Sequence, residues 1–89
     1  MEIRNLSSRV IRFYVYSGFP HTEDNRVGSS DLAQGGSLSE NVPSGTSYYV
    51  VFMTTNIGTI RPGLTIAASG GVPASGTVTL DKLDRISID

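Results

Sequence analysis

The sequence predicts a single small all-β domain. Three observations predict it. Apolar residues alternate with a period of two in short runs from Ile3 to Ile88. No stretch carries a helical period long enough for an ordinary helix. Gly, Pro and Asn interrupt the runs at short intervals, as turns between strands do. The 89 residues hold one domain, 1–89, with no room for a second. Six to eight short strands joined by tight turns suit a two-sheet antiparallel β-sandwich, jelly-roll or immunoglobulin-like. A closed β-barrel is the alternative. No helical crossover is present, so a parallel βαβ sheet is not expected.

The elements follow in order. Residues 3–6 read as a short strand at a sheet edge, and Ser7-Ser8 turns the chain. Residues 9–17 read as a strand with Ile11, Phe13 and Val15 facing the core and Val10, Arg12, Tyr14 and Tyr16 facing out. Gly18-Phe19-Pro20 ends it, because Pro cannot donate to a ladder. Residues 18–36 lose the alternation and hold four of the ten glycines. They read as a long loop, with one helical turn over 30–35 capped by Ser30 and stopped by Gly35. Residues 37–42 resume the strand pattern with Leu38 and Val42 inward, and residues 43–46 turn.

The strongest strand is 47–55, with Tyr48, Val50 and Phe52 on one face and Tyr49, Val51 and Met53 on the other. Turns at 56–58 and 61–63 flank a stub at 59–60. A strand at 64–68 places Leu64, Ile66 and Ala68 together, and 69–76 reads as a loose loop. Residues 77–81 put Val78 and Leu80 inward. In 85–89, Ile86 and Ile88 alternate with Ser87 and Asp89.

Composition removes several function classes. There is no Cys, so no disulfide, thiol redox site or thiolate metal cage is expected. Formal charge is −1, which gives no electrostatic footprint for nucleic acid or an anionic membrane. Met1-Glu2-Ile3-Arg4 is charged and runs straight into strand, unlike a signal peptide. No window of about 18 apolar residues exists, so no membrane span is expected. Gly, Ser and Thr make up 30 of the 89 residues, a composition that leaves the compartment open.

Chemistry-bearing residues are few. The only imidazole is His21, and no Gly-x-Ser-x-Gly elbow accompanies it, so no nucleophilic triad is expected. The acids scatter over turns and ends, as solvating residues do. His21, Glu23, Asp24 and Asn25 lie within five residues, but without a second His or spaced aspartates they read as a polar loop tip. The pairs Gly35-Gly36 and Gly70-Gly71 lack the Lys and the strand-to-helix context of a phosphate loop. Asn5-Leu6-Ser7 is a glycosylation triplet inside a strand, where chance explains it best. No cofactor is expected.

The outward faces are the better guide. An antiparallel strand with one wet face alternates apolar with polar. The strands 9–17 and 47–55 instead carry apolar or aromatic residues on both faces. Either loop 18–36 folds over the outer face, or another chain covers it. The first functional expectation is therefore a non-enzymatic, self-associating structural subunit. Its interface would comprise Val10, Tyr14, Tyr16, Tyr49, Val51 and Met53. The second is a small-molecule or carbohydrate-binding module using Phe19, His21, Asp24 and Arg26 of loop 18–36, with Phe19 as apolar anchor and Arg26 as directional donor. An enzyme is the third and least supported.

Overall fold

The computed structural model describes residues 1–55 and 63–89. The chain is all-β, and the described residues form two packed four-stranded sheets, a β-sandwich with no closed barrel. The strands are β1 (Glu2–Asn5), β2 (Ile11–Tyr16), β3 (Arg26–Leu32), β4 (Ser37–Ser39), β5 (Ser47–Thr54), β6 (Thr65–Pro73), β7 (Thr77–Leu80) and β8 (Ile86–Ile88). The first sheet has the order β4-β1-β7-β8 and the second β3-β2-β5-β6. Among the described residues no helix is long and apolar enough to cross a membrane.

The alternating residues meet between the sheets as their spacing requires. Ile11, Phe13 and Val15 of β2 and Tyr48, Val50 and Phe52 of β5 are buried together. Phe13 faces Phe52 directly across the ladder, and Val15 faces Val50. From the first sheet come Ile3, Val78 and Leu80. Leu38, Val42 and Ile86 pack around this centre half-buried. Tyr48 keeps its ring in the core while its hydroxyl donates to the Pro43 carbonyl in the 43–46 turn. A buried phenol needs such an acceptor, because an unpaired hydroxyl in an apolar site costs about 1–3 kcal/mol.

Several sequence expectations are corrected here. Strand 3–6 is not an edge: β1 lies inside its sheet, between β4 and β7. Its pairing with β7 is parallel, with Ile3 opposite Val78, so one pair departs from the antiparallel rule.

Residues 18–36 are not one long loop. A single 3₁₀ turn at Glu23–Asn25 leads into β3, which pairs with β2 along its length. The helical turn expected over 30–35 is the end of β3 and a tight turn in which Gly35 has φ +77°. Composition hid β3, because Arg-Val-Gly-Ser-Ser-Asp-Leu has weak strand propensity. A Cβ on Gly28 would lie 2.7 Å from the Glu40 carboxylate, the far end of a flexible side chain that can move aside.

Residues 69–76 are not a loose loop either. β6 continues to Pro73 and shifts register against β5 twice. Leu64, grouped with Ile66 and Ala68 in the sequence, is exposed and precedes the strand, and Ala68 lies opposite Val51 on the outer face. The turn at 56–58, the stub at 59–60 and most of the turn at 61–63 lie outside the described residues.

The glycosylation triplet is a buried tie. Asn5 is fully buried, and its Nδ2 donates to the carbonyls of Arg9 (2.8 Å), Leu32 (3.0 Å) and Ala33 (3.2 Å). Its Oδ1 accepts from the Ser7 amide (3.0 Å) and the Ser7 hydroxyl (2.5 Å). One side chain thus pins the β1–β2 loop and the β3–β4 turn to the end of β1. Every buried side-chain polar atom among the described residues has a partner.

Candidate functional site

The two outer faces of the sandwich differ. On the first sheet the outward positions are Glu2 and Arg4 of β1, Ser37 and Ser39 of β4, Thr77 and Thr79 of β7 and Ser87 of β8. All are polar, although Thr79 on the interior strand β7 is only 9% exposed. On the second sheet the register builds three rows. Tyr16 and Tyr49 form one, with Arg26 at its β3 end. Ser29, Tyr14, Val51 and Ala68 form the next. Asp31, Arg12, Met53 and Thr65 form the third.

The first two rows hold an aromatic cluster. The Tyr14 and Tyr16 centroids are 6.2 Å apart, and Tyr16 and Tyr49 are 6.5 Å apart. The connection from β2 to β3 folds back over this end. Ser17 donates its amide to the Asn25 carbonyl (2.8 Å), and Asn25 Nδ2 donates to the Pro20 carbonyl (2.6 Å). The amides of Thr22 and Asn25 close the same turn onto Pro20 and Thr22. These bonds set His21 flat on Tyr49, with centroids 3.8 Å apart and planes 3° apart. His21 also contacts Tyr16 at 5.8 Å and receives Phe19 edge-on at 5.4 Å. Phe19 itself is 86% exposed. The Arg26 guanidinium lies 5.1 Å from the Tyr14 centroid and pairs with Glu23 at 3.0 Å. At the far end of the face Arg12 pairs with Asp31 at 2.7 Å.

The chain's own loop therefore covers part of the outer face. Residues 19–25 cover Tyr16 and Tyr49, whereas β3 widens the face instead of covering it. Val51, Met53 and Tyr14 remain half-exposed. Val10 does not join them: it precedes β2, exposed, at the opposite end from Tyr16. Asp24 is exposed in the 3₁₀ turn, apart from the aromatic contacts. Of the expected ligand residues, Phe19, His21 and Arg26 are brought to one end of the sheet. Among the described residues no three His, Cys, Asp or Glu side chains gather as a metal site would require.

Desolvation under this cover raises the Tyr16 phenol above its ordinary pKa of 10.0. Arg26 opposes the shift, while Tyr14 and Glu23 add to it. A folded value above the unfolded one means the contribution is complete below pH 10.0 and is lost as pH rises through the folded value. Wild type should therefore lose stability more steeply than Tyr16→Phe on crossing pH 10.0, read by denaturant midpoints along the alkaline limb. Equal slopes would mean Tyr16 is not desolvated.

Beside the cluster lies an open cleft of about 370 Å³ whose lining includes Phe19, His21, Tyr49 and Gly70-Gly71. Register explains the opening. β5 pairs Tyr48 with Val72 and then Val50 with Ser69, so Gly70 and Gly71 both stand opposite Tyr49. Gly71 has φ +71°, which only Gly adopts without strain. A second cleft of about 470 Å³, between residues 44–47 and 73–75, adjoins the first at Ser47. Sequence reasoning tested Gly70-Gly71 only against a phosphate loop and missed this role. The available signal was two consecutive glycines shortly after the strongest strand. Comparison with protein-family models, curated proteins and solved structures found no match to this chain.

Proposed function

We propose that the chain is a non-enzymatic β-sandwich subunit that associates with further copies of itself through the outer face of β3-β2-β5-β6. The carrying observation is the contrast between the faces: wholly polar on one sheet, Tyr14, Val51 and Met53 half-exposed on the other. Charge supports a like partner. Arg26–Glu23 lies at one end and Arg12–Asp31 at the other, so the face carries no net charge. A face without net charge sets up no net repulsion against a second copy.

Size sets the strength. Four strands about 4.8 Å apart and roughly 20 Å long give a footprint of about 400 Å². Stable interfaces bury about 800 Å² per partner. Association is therefore weak and concentration-dependent. Light scattering should show mass rising through the micromolar range, and Val51→Asp with Met53→Asp should hold it at one chain without unfolding. These two positions are better probes than Tyr16 and Tyr49, which His21 already occupies. Wild type that keeps the mass of one chain at all concentrations would end this reading.

The exposure of Phe19 favours a second reading, a carbohydrate or small-molecule module working at the 18–26 end of the face.

A further inference from the structure

We propose that the two adjoining clefts at the Phe19 end of the sandwich form one binding site for a neutral oligosaccharide of two or three rings. This rests on the second reading above and does not require association between copies.

The aromatic cleft supplies a stacking surface. Phe19 is held by its edge-on contact with His21 and leaves its ring in solvent. Sugar rings present a flat C–H face that packs on an exposed aromatic ring, while their hydroxyls stay free for hydrogen bonds. The Gly70-Gly71 bulge lines the same cleft on an outer strand, and among the described residues no strand pairs with its far side. Absence of side chains there lets a ligand approach the backbone closely. The second cleft adds hydroxyls from Ser44, Thr46, Ser47 and Ser75. Ser47 lies in both clefts, so a chain stacked on Phe19 can continue into the hydroxyl-lined part.

Charge selects the class. No Lys, Arg, Asp or Glu lines either cleft. A cation would find no carboxylate there, an anion would meet no Lys or Arg and only the His21 ring already stacked on Tyr49, and Arg26 is engaged by Tyr14 and Glu23. Neutral polyhydroxylated rings need only stacking and neutral hydrogen bonds. Each cleft is at the low end of small-ligand sites, so the pair suits a short oligomer.

The test is amide NMR titration of the whole chain with cellotriose, maltotriose, tri-N-acetylchitotriose and a β-galactotriose, with N-acetyltyrosinamide as an apolar control. At least one trisaccharide should bind with Kd on the order of millimolar, shifting the amides of Phe19, Ser47, Gly70 and Gly71. Phe19→Ala, an exposed change that spares the core, should weaken it by about tenfold. Ser47→Ala should weaken binding of the trisaccharide more than that of its monosaccharide. Binding of N-acetyltyrosinamide with no response to any sugar overturns the saccharide assignment and leaves a ligand site. No response to any of the five overturns both. Sugar binding undiminished in Phe19→Ala places the site elsewhere and overturns the proposal.

Discussion

Phe13→Ala and Phe52→Ala should each lower the unfolding free energy by about 3–5 kcal/mol. Both rings are fully buried, and they face each other on β2 and β5, the two central strands of the second sheet. Removing either leaves a void that β-strands hydrogen-bonded on both sides cannot collapse to fill. Domains of this size hold about 4–13 kcal/mol in total, at 0.05–0.15 kcal/mol per residue. One truncation therefore takes a large share of the whole and leaves a sparse or unfolded population at 37 °C. Phe13→Leu should cost much less, because most of the volume remains. The double alanine variant should fall short of the sum of the singles, since the second loss widens an existing cavity. Denaturant unfolding followed by tyrosine fluorescence measures all of these. A loss under about 1 kcal/mol for either single alanine would show that the cavity relaxes and that this pair is not the centre of the core.

The same pair shows what a sequence of this kind makes legible. Period-two alternation locates β2, β5 and β7 and sorts their residues into core and surface correctly, because burial of one face is a local property of the strand. Phe13, Phe52, Val78 and Leu80 were readable on that basis. β3 was not, since β2 supplies its ladder and its own residues carry little strand signal. The interior place of β1 was equally hidden, because parallel pairing of β1 with β7 joins residues about seventy-five positions apart.

The site divides in the same way. The aromatic content of the outer face could be read from the two strongest strands. That His21 would lie flat on Tyr49 depends on the turn bonds from Ser17, Thr22 and Asn25, which have no periodic signature. The cleft depends on a register shift opposite Tyr49, and register belongs to two strands at once. Val10 failed as a face residue for a simpler reason: the strand begins one position after it.

The Asn5 tie should behave as a keystone of the other end. Asn5→Ala should cost about 2–4 kcal/mol, because it strips the donor from three carbonyls in a buried or part-buried setting and leaves the Ser7 amide without its acceptor. Ser7→Ala loses one hydroxyl and should cost about 1 kcal/mol. Asn5→Asp separates shape from chemistry. The carboxylate has nearly the same volume, but it offers acceptors where the fold presents the carbonyls of Arg9, Leu32 and Ala33. Repulsion and burial then favour the protonated acid, so its folded pKa rises above the unfolded one. A raised value gives stability that is complete below the unfolded pKa and lost as pH rises through the folded pKa. Asn5→Asp should therefore be less stable than Asn5→Ala at neutral pH and should gain on it as the solution is acidified. Hydrogen exchange should localise the damage, with the amides of Leu6, Gly35 and Gly36 losing protection first, since they lie in the segments Asn5 ties together. An Asn5→Ala variant within about 1 kcal/mol of wild type, or an Asn5→Asp variant with no acid recovery, would mean that the backbone bonds Asn5 N to Gly36 O and Gly35 N to Asn5 O hold this end without the side chain.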